Sequence, residues 1–177
     1  MPNAAQQLCL ECGLCCNGVI FAHGQLQPED DTEKLRALGL KLIERSRSAA
    51  SKSESPRKFS QPCAAFQGCQ CTVYSERPLY CRAFNCALLQ QVNDGEKTSA
   101  AALKTIHLAK KRAATVRRLL NELGSADEGV AMSIQFRRVS RRLQSQAVDR
   151  RTASVFGDLT IAMHQLNLVL SGEFYPH

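Results

Sequence analysis

The sequence contains no tryptophan and only three tyrosines. That argues against a large aromatic binding platform. It has no uncharged apolar run of about 18 residues, so no membrane-spanning helix is expected. The start, Met1-Pro2-Asn3-Ala4-Ala5-Gln6-Gln7, has neither a basic stretch nor an apolar one. It does not read as a secretory signal, and a cytoplasmic location is the expectation. No catalytic triad, phosphate-binding glycine loop or dinucleotide fingerprint is readable. Cysteine is absent from residues 87–177.

All nine cysteines therefore crowd between Cys9 and Cys86. The count is odd, and thiols stay reduced in the cytosol, so a disulfide scaffold is the weaker reading. Buried structural thiols are weaker too, because isolated thiols acting as small hydrophobes do not cluster. A metal or redox role is the stronger one. Charge is also unevenly spread. Residues 1–95 carry a net +1 and residues 96–177 a net +6, within a formal total of +7.

Two cysteine groups carry the chemistry. The first is Cys9-x2-Cys12-x2-Cys15-Cys16. A two-residue spacing lets paired thiolates point to one side of a tight turn and reach one ion. Gly13 follows Cys12, where a bulky residue would obstruct such a turn. Three cysteines at consecutive x2 spacings also occur in iron–sulfur ligation. Adjacent Cys15 and Cys16 do not easily bind one ion as a pair. The second group is Cys63, Cys69, Cys71, Cys81 and Cys86, with Arg77 and Arg82 among them. Arginines beside thiolates lower thiol pKa values and stabilise a metallated form.

The ordered combination resembles a known family. Cys9-x2-Cys12-Gly13-x-Cys15-Cys16, then Pro62-Cys63, then Cys71-Thr72-Val73-Tyr74-x3-Pro78-x2-Cys81-Arg82-x-Phe84-x-Cys86 is similar to the CxxCxxCC, or YkgJ-like, cysteine-cluster proteins. These are described as zinc- or iron-chelating domains and distantly include flagellin lysine N-methylases. The resemblance covers residues 9–86. It implies metal ligation by Cys9, Cys12, Cys15, Cys16, Cys63, Cys71, Cys81 and Cys86. Cys69 falls outside the pattern.

Zinc and iron–sulfur clusters use the same soft thiolates. The Cys-x2-Cys-x2-Cys run tilts the choice slightly toward iron–sulfur. Of the four histidines, His23 alone is close in sequence to the cysteines and is a candidate ligand or ligand neighbour. His107 and His164 read as ordinary helix residues and His177 as a mobile terminal one.

The expected fold is mainly α, within a single domain over 1–177. An irregular cysteine-rich metal-binding module with short strands (9–86) packs on a three-helix C-terminal part (97–171). Strands are expected at Val19–Ala22 and Thr72–Tyr74, a helix from Pro28 to Leu38, and a short helix after Pro78 holding both Cys81 and Cys86. Residues 46–60, with six serines, read as a mobile loop. From Thr98 the apolar period is helical. Leu103, Ile106, Ala113, Val116, Leu120 and Leu123 form one stripe, ended by Gly124. A second helix from about Asp127 carries Met132, Phe136, Val139 and Leu143. A third, Arg151–Leu170, carries Val155, Leu159, Met163, Leu166 and Leu170. An antiparallel three-helix bundle would bury these stripes.

Arg137, Arg138, Arg141 and Arg142 lie opposite the second stripe and read first as a solvated face. An acidic protein partner is compatible with them, and nucleic acid less so, because no recognised binding motif accompanies the charge. Three functions remain open: a metal-binding protein; an iron–sulfur enzyme doing electron transfer or methyl-transfer-type chemistry; and a zinc-stabilised nucleic-acid- or protein-binding module.

Overall fold

The computed structural model describes residues 4–43, 58–125 and 127–175. Helix α1 (Ala4–Cys12) leads into a turn and a short strand β1 (His23–Gln25). Helix α2 (Thr32–Ala37), β2 (Leu42–Ile43), β3 (Lys58–Ser60), β4 (Phe66–Gln67) and β5 (Gln70–Cys71) follow. After a 3-10 turn at Tyr74–Glu76 come α3 (Leu79–Ala83), α4 (Ala87–Asn93), α5 (Ser99–Glu122), α6 (Met132–Gln144) and α7 (Arg150–Glu173). The fold is mainly α.

The long helices start where local chemistry lets them. Thr98 Oγ1 accepts from Ala101 N at 3.2 Å and Asp149 Oδ1 from Thr152 N at 3.0 Å, each satisfying an amide that the first helical turn leaves free. The stripe of α5 is buried as its period requires, and Ala102, Ala109, Ala113 and Val116 are all 0% exposed. Opposite it lie Leu159, Leu166 and Leu170 of α7. Lys97 pairs with Glu173, and Arg112 donates to the Gln165 carbonyl. The start of α5 thus meets the end of α7, so the two run antiparallel. α6 is attached more lightly, by Met132 and Val139 in the core and by Phe136 stacked on Phe156 at 6.5 Å.

The three-helix expectation is incomplete. α1 and α4 also pack on α5. Leu8, Leu14, Val19, Ile20, Leu88 and Leu89 join the same core. The cysteine module and the helical part therefore share one apolar interior. A second, smaller core gathers Leu26, Leu35, Leu40, Phe59, Ala65 and Val73. It lies under a three-stranded antiparallel sheet of order β1-β3-β2, in which Phe59 pairs with both Gly24 and Leu42.

Several local expectations are corrected. The strand is His23–Gln25 rather than Val19–Ala22, because Val19 and Ile20 turn inward to the main core. α2 begins at Thr32, since Asp31 caps it by accepting from Lys34 N at 3.0 Å. Thr72–Tyr74 is not a strand, and pairing stops at Cys71. α6 begins at Met132, five residues beyond Asp127, and its first amide donates to the Gly18 carbonyl at 3.0 Å. Within the serine-rich 46–60 segment, Lys58–Ser60 form the central strand of the sheet. Residues 46–57 of that segment, and His177, lie outside the described residues.

Candidate metal centre

The first cysteine group is ordered by a helix end rather than by loops alone. Cys9 and Cys12 lie on α1, three residues apart and so on neighbouring positions of one face. Gly13 N donates to Cys9 O at 3.2 Å and closes the helix. Gly13 then adopts a φ of +64°, and a Cβ there would overlap the ring of Phe66. Its carbonyl accepts from the amides of Cys16 and Asn17, both at 3.0 Å. That turn swings Cys15 and Cys16 back toward the chain. Lys110 Nζ donates to the Glu11 carbonyl at 2.9 Å, a cation at the negative end of α1.

The second group is delivered by separate elements. Cys63 donates its amide to Cys16 O at 2.8 Å, which binds the two groups together through the backbone. Cys71 closes a hairpin in which Phe66 pairs with Cys71 and Gln67 with Gln70. The two linking residues, Gly68 and Cys69, have φ values of +53° and +65°, the sign a tight two-residue hairpin turn requires at both positions. Cys69 is exposed at that tip. Cys81 lies in α3. Cys86 is outside that helix, at the N-cap of α4, because Phe84 breaks to an extended conformation between them.

All nine cysteines carry free thiols. Eight of them, the family-pattern set, surround two adjoining cavities. One, of about 380 Å³, is lined by Cys9, Cys12, Cys15, Cys16, Cys81 and Cys86. The other, of about 190 Å³, is lined by Cys9, Cys15, Cys16, Cys63, Cys71 and Cys81, and by Cys69 at the hairpin tip. Phe21, Phe66, Tyr80 and Phe84 give the second an apolar wall, with Phe21 edge-on to Phe84 at 5.3 Å. His23 also borders it, and its pKa is lowered by burial and then by Lys58 and Arg137. Among the described residues, no three Cys, His, Asp or Glu side chains converge on one ion position.

Electrostatics favours the neutral thiol at seven of the cysteines. Burial pushes Cys12, Cys16 and Cys81 each up to about 12. Cys9, Cys15, Cys63 and Cys86 are raised too, again chiefly by burial. Mutual repulsion adds to it, for instance from Cys86 on Cys9 and from Cys63 on Cys16. A bound cation inverts this balance, because it compensates the thiolates it ligates. Arg77 is the basic residue best placed to assist. It borders both cavities and acts downward on Cys9 and Cys81. Its guanidinium lies 3.7 Å from the centre of the Tyr74 ring. Arg82 borders the larger cavity, and its Nε donates to the Arg77 carbonyl at 2.7 Å.

Three participants gave no signal in the sequence. Gln61 borders the smaller cavity, is 5% exposed, and its Oε1 has no hydrogen-bond donor among the described residues. Tyr175 donates its hydroxyl to the Ile20 carbonyl at 3.2 Å, and its pKa is raised by burial and by Cys15. Lys110 acts downward on Cys12 from α5. Lys110 and Tyr175 are brought in by tertiary packing from the C-terminal half, and Gln61 by its place two residues before Cys63.

The basic face of α6 is partly committed within the fold. Arg142 donates to the Leu123 carbonyl at the end of α5, and Arg138 pairs with Asp127 at 3.7 Å. No helix among the described residues is long and apolar enough to cross a membrane.

The donor set fits a thiophilic metal or cluster: soft ligands in cavities each larger than the space of about one water that a single ion needs. A family model named CxxCxxCC, described as a putative zinc- or iron-chelating domain, matches residues 8–107. No curated protein and no solved structure matches.

Proposed function

The chain belongs to the CxxCxxCC family, and from that premise we propose that it is a metal-binding protein whose eight pattern cysteines hold iron as iron–sulfur clusters. The observation that carries this reading is the pair of cysteine-bordered cavities. Cys12 and Cys86 border one, Cys63 and Cys71 the other, and Cys9, Cys15, Cys16 and Cys81 border both. Thiolates in sets of four suit zinc and iron–sulfur clusters alike. Volumes of about 190 and 380 Å³ favour the bulkier polynuclear occupant. A bound cluster would supply a one-electron redox centre. The chain's own part is to desolvate the thiols, hold them by backbone bonds such as Cys63 N to Cys16 O, and offset their charge with Arg77.

Elemental analysis of anaerobically purified protein tests this. Iron with matching inorganic sulfide is the expected result. Zinc without iron would replace the cluster with structural zinc. Absence of both metals, after reconstitution as well, would sink the metal-binding reading. Cys12→Ser is expected to lose much of the metal, and wild-type content in that variant would remove Cys12 from the ligand set.

A further inference from the structure

We infer that the module holds two separate four-thiolate centres, one from Cys9, Cys12, Cys15 and Cys86 and the other from Cys16, Cys63, Cys71 and Cys81. The inference rests on the metal-binding reading above and holds for zinc or iron. Each centre draws ligands from both sequence groups. The boundary between them runs through the peptide bond joining Cys15 and Cys16.

Two features of the fold sort the thiols, and they agree where both apply. The first is the cavities. Cys12 and Cys86 border only the larger one, and Cys63 and Cys71 only the smaller. The second is packing. Cys12, Cys15 and Cys86 lie against the main helical core, whereas Cys63, Cys71 and Cys81 lie against the smaller core around Phe59.

Ligand chemistry agrees. A zinc ion or an iron–sulfur cluster takes four thiolates, so eight thiols saturate two such groups. Neighbouring residues of an extended or turning chain project their side chains apart, so Cys15 and Cys16 are assigned to different centres although both border both cavities. Cys16 is anchored to the second set by accepting from Cys63 N at 2.8 Å. Arg77, bordering both cavities, is placed to offset charge on both centres.

The partition also divides the structural work. The first centre staples α1 to the start of α4, through Cys86 at its N-cap. The second staples the turn after α1 to the hairpin and α3, and so steadies the smaller core.

The test compares reconstituted wild-type protein, Cys86→Ala, Cys63→Ala, the double variant, and Cys69→Ala. Metal and sulfide per chain are measured, with far-UV circular dichroism to confirm that each variant keeps its helices. Native mass spectrometry of the unaltered protein counts the centres without any substitution. The expected result is two centres in the wild type and in Cys69→Ala, one in each single variant, and none in the double. Limited proteolysis should cleave first around the small core in Cys63→Ala and not in Cys86→Ala. A wild type with one centre, or single variants that lose everything, would overturn the partition while leaving metal binding intact. A wild type with no metal would overturn both. If either alanine variant loses its helices, Cys12→Ala and Cys71→Ala carry the same comparison.

Discussion

The backbone N–H of Cys63 donates to the carbonyl of Cys16 at 2.8 Å, so the two cysteine groups are joined before any metal is considered. The bond sits beside a short stack of others, Phe66 N to Cys63 O at 3.0 Å and Thr72 N to Ala65 O at 2.8 Å. None of these belongs to a long helix or a wide sheet. Their persistence depends on the small core and on whatever the thiols hold. The core of α5 and α7 is different, because Ala109, Val116, Leu159 and Leu166 are 0% exposed within the helices themselves.

Metal removal should therefore act regionally. After anaerobic chelation, the amides of Cys63, Phe66 and Thr72 are expected to exchange with deuterium much faster. Those in the middle of α5 and α7 should keep their protection. Far-UV circular dichroism should change little. Simultaneous loss of protection in α5 would show that the metal stabilises the whole chain as one cooperative unit.

Gly13 is the second sensitive point. Its φ of +64° costs a residue with a Cβ about 1–2 kcal/mol. The overlap with Phe66 adds about 1–3 kcal/mol, as overpacking does elsewhere. Gly13→Ala is expected to lower the denaturant midpoint and to reduce metal content, because the turn that aims Cys15 and Cys16 must shift. A wild-type midpoint would mean that Phe66 moves aside freely.

Much of this was legible in the residues. The stripes of α5 and α7 dictated their helices, since Ile106, Val116, Leu159 and Leu166 recur at helical spacing and are all buried. The eight ligand candidates were legible from their order along the chain, and the structure borders two cavities with them. Which thiol joins which cavity was not, because Cys86 meets Cys9 only through the docking of α4 against α1. The start of α1 was missed because Cys-x2-Cys fits a helix face as well as a turn. Val19–Ala22 was misplaced because a short apolar run carries no period with which to distinguish a strand from core filling. Lys110 and Tyr175 had no local signature at all, being ordinary residues made relevant by contacts distant in sequence, and Gln61 carried none beyond its place beside Pro62-Cys63.

Arg77 offers a test of the electrostatics. It lowers the cost of ionising Cys9 and Cys81, and its orientation is fixed by the Tyr74 ring and by donation from its Nε to Tyr74 O at 3.0 Å. Arg77→Gln is expected to weaken metal affinity at neutral pH by about tenfold, as loss of groups around a metal site commonly does. Competition with a chromophoric chelator measures it. Unchanged affinity would assign the guanidinium to packing on Tyr74 alone.

The last prediction concerns alkaline pH and separates the metal-free from the loaded protein. In the metal-free fold, Cys12, Cys16 and Cys81 titrate near about 12, whereas the same thiols titrate near 9.0 in their ordinary state. Burial is the first cause at all three, and repulsion from neighbouring cysteines reinforces it. Below pH 9.0 both folded and unfolded chains keep these protons, and the balance between them does not depend on pH. Between 9.0 and about 12 the unfolded chain releases them and the folded chain does not. The unfolded state then binds fewer protons, so stability falls as pH rises through that window. In the loaded protein the thiols are already deprotonated by ligation and have no proton to lose there. Melting temperatures of the chelated protein should drop between about pH 8 and about pH 10.5, by more than those of the reconstituted protein over the same interval. Tyrosines and lysines titrate in both forms, so the difference between the two curves isolates the cysteines. Parallel curves would show that the thiols of the metal-free protein do not stay protonated in the fold, and that their burial is relieved when the site is empty.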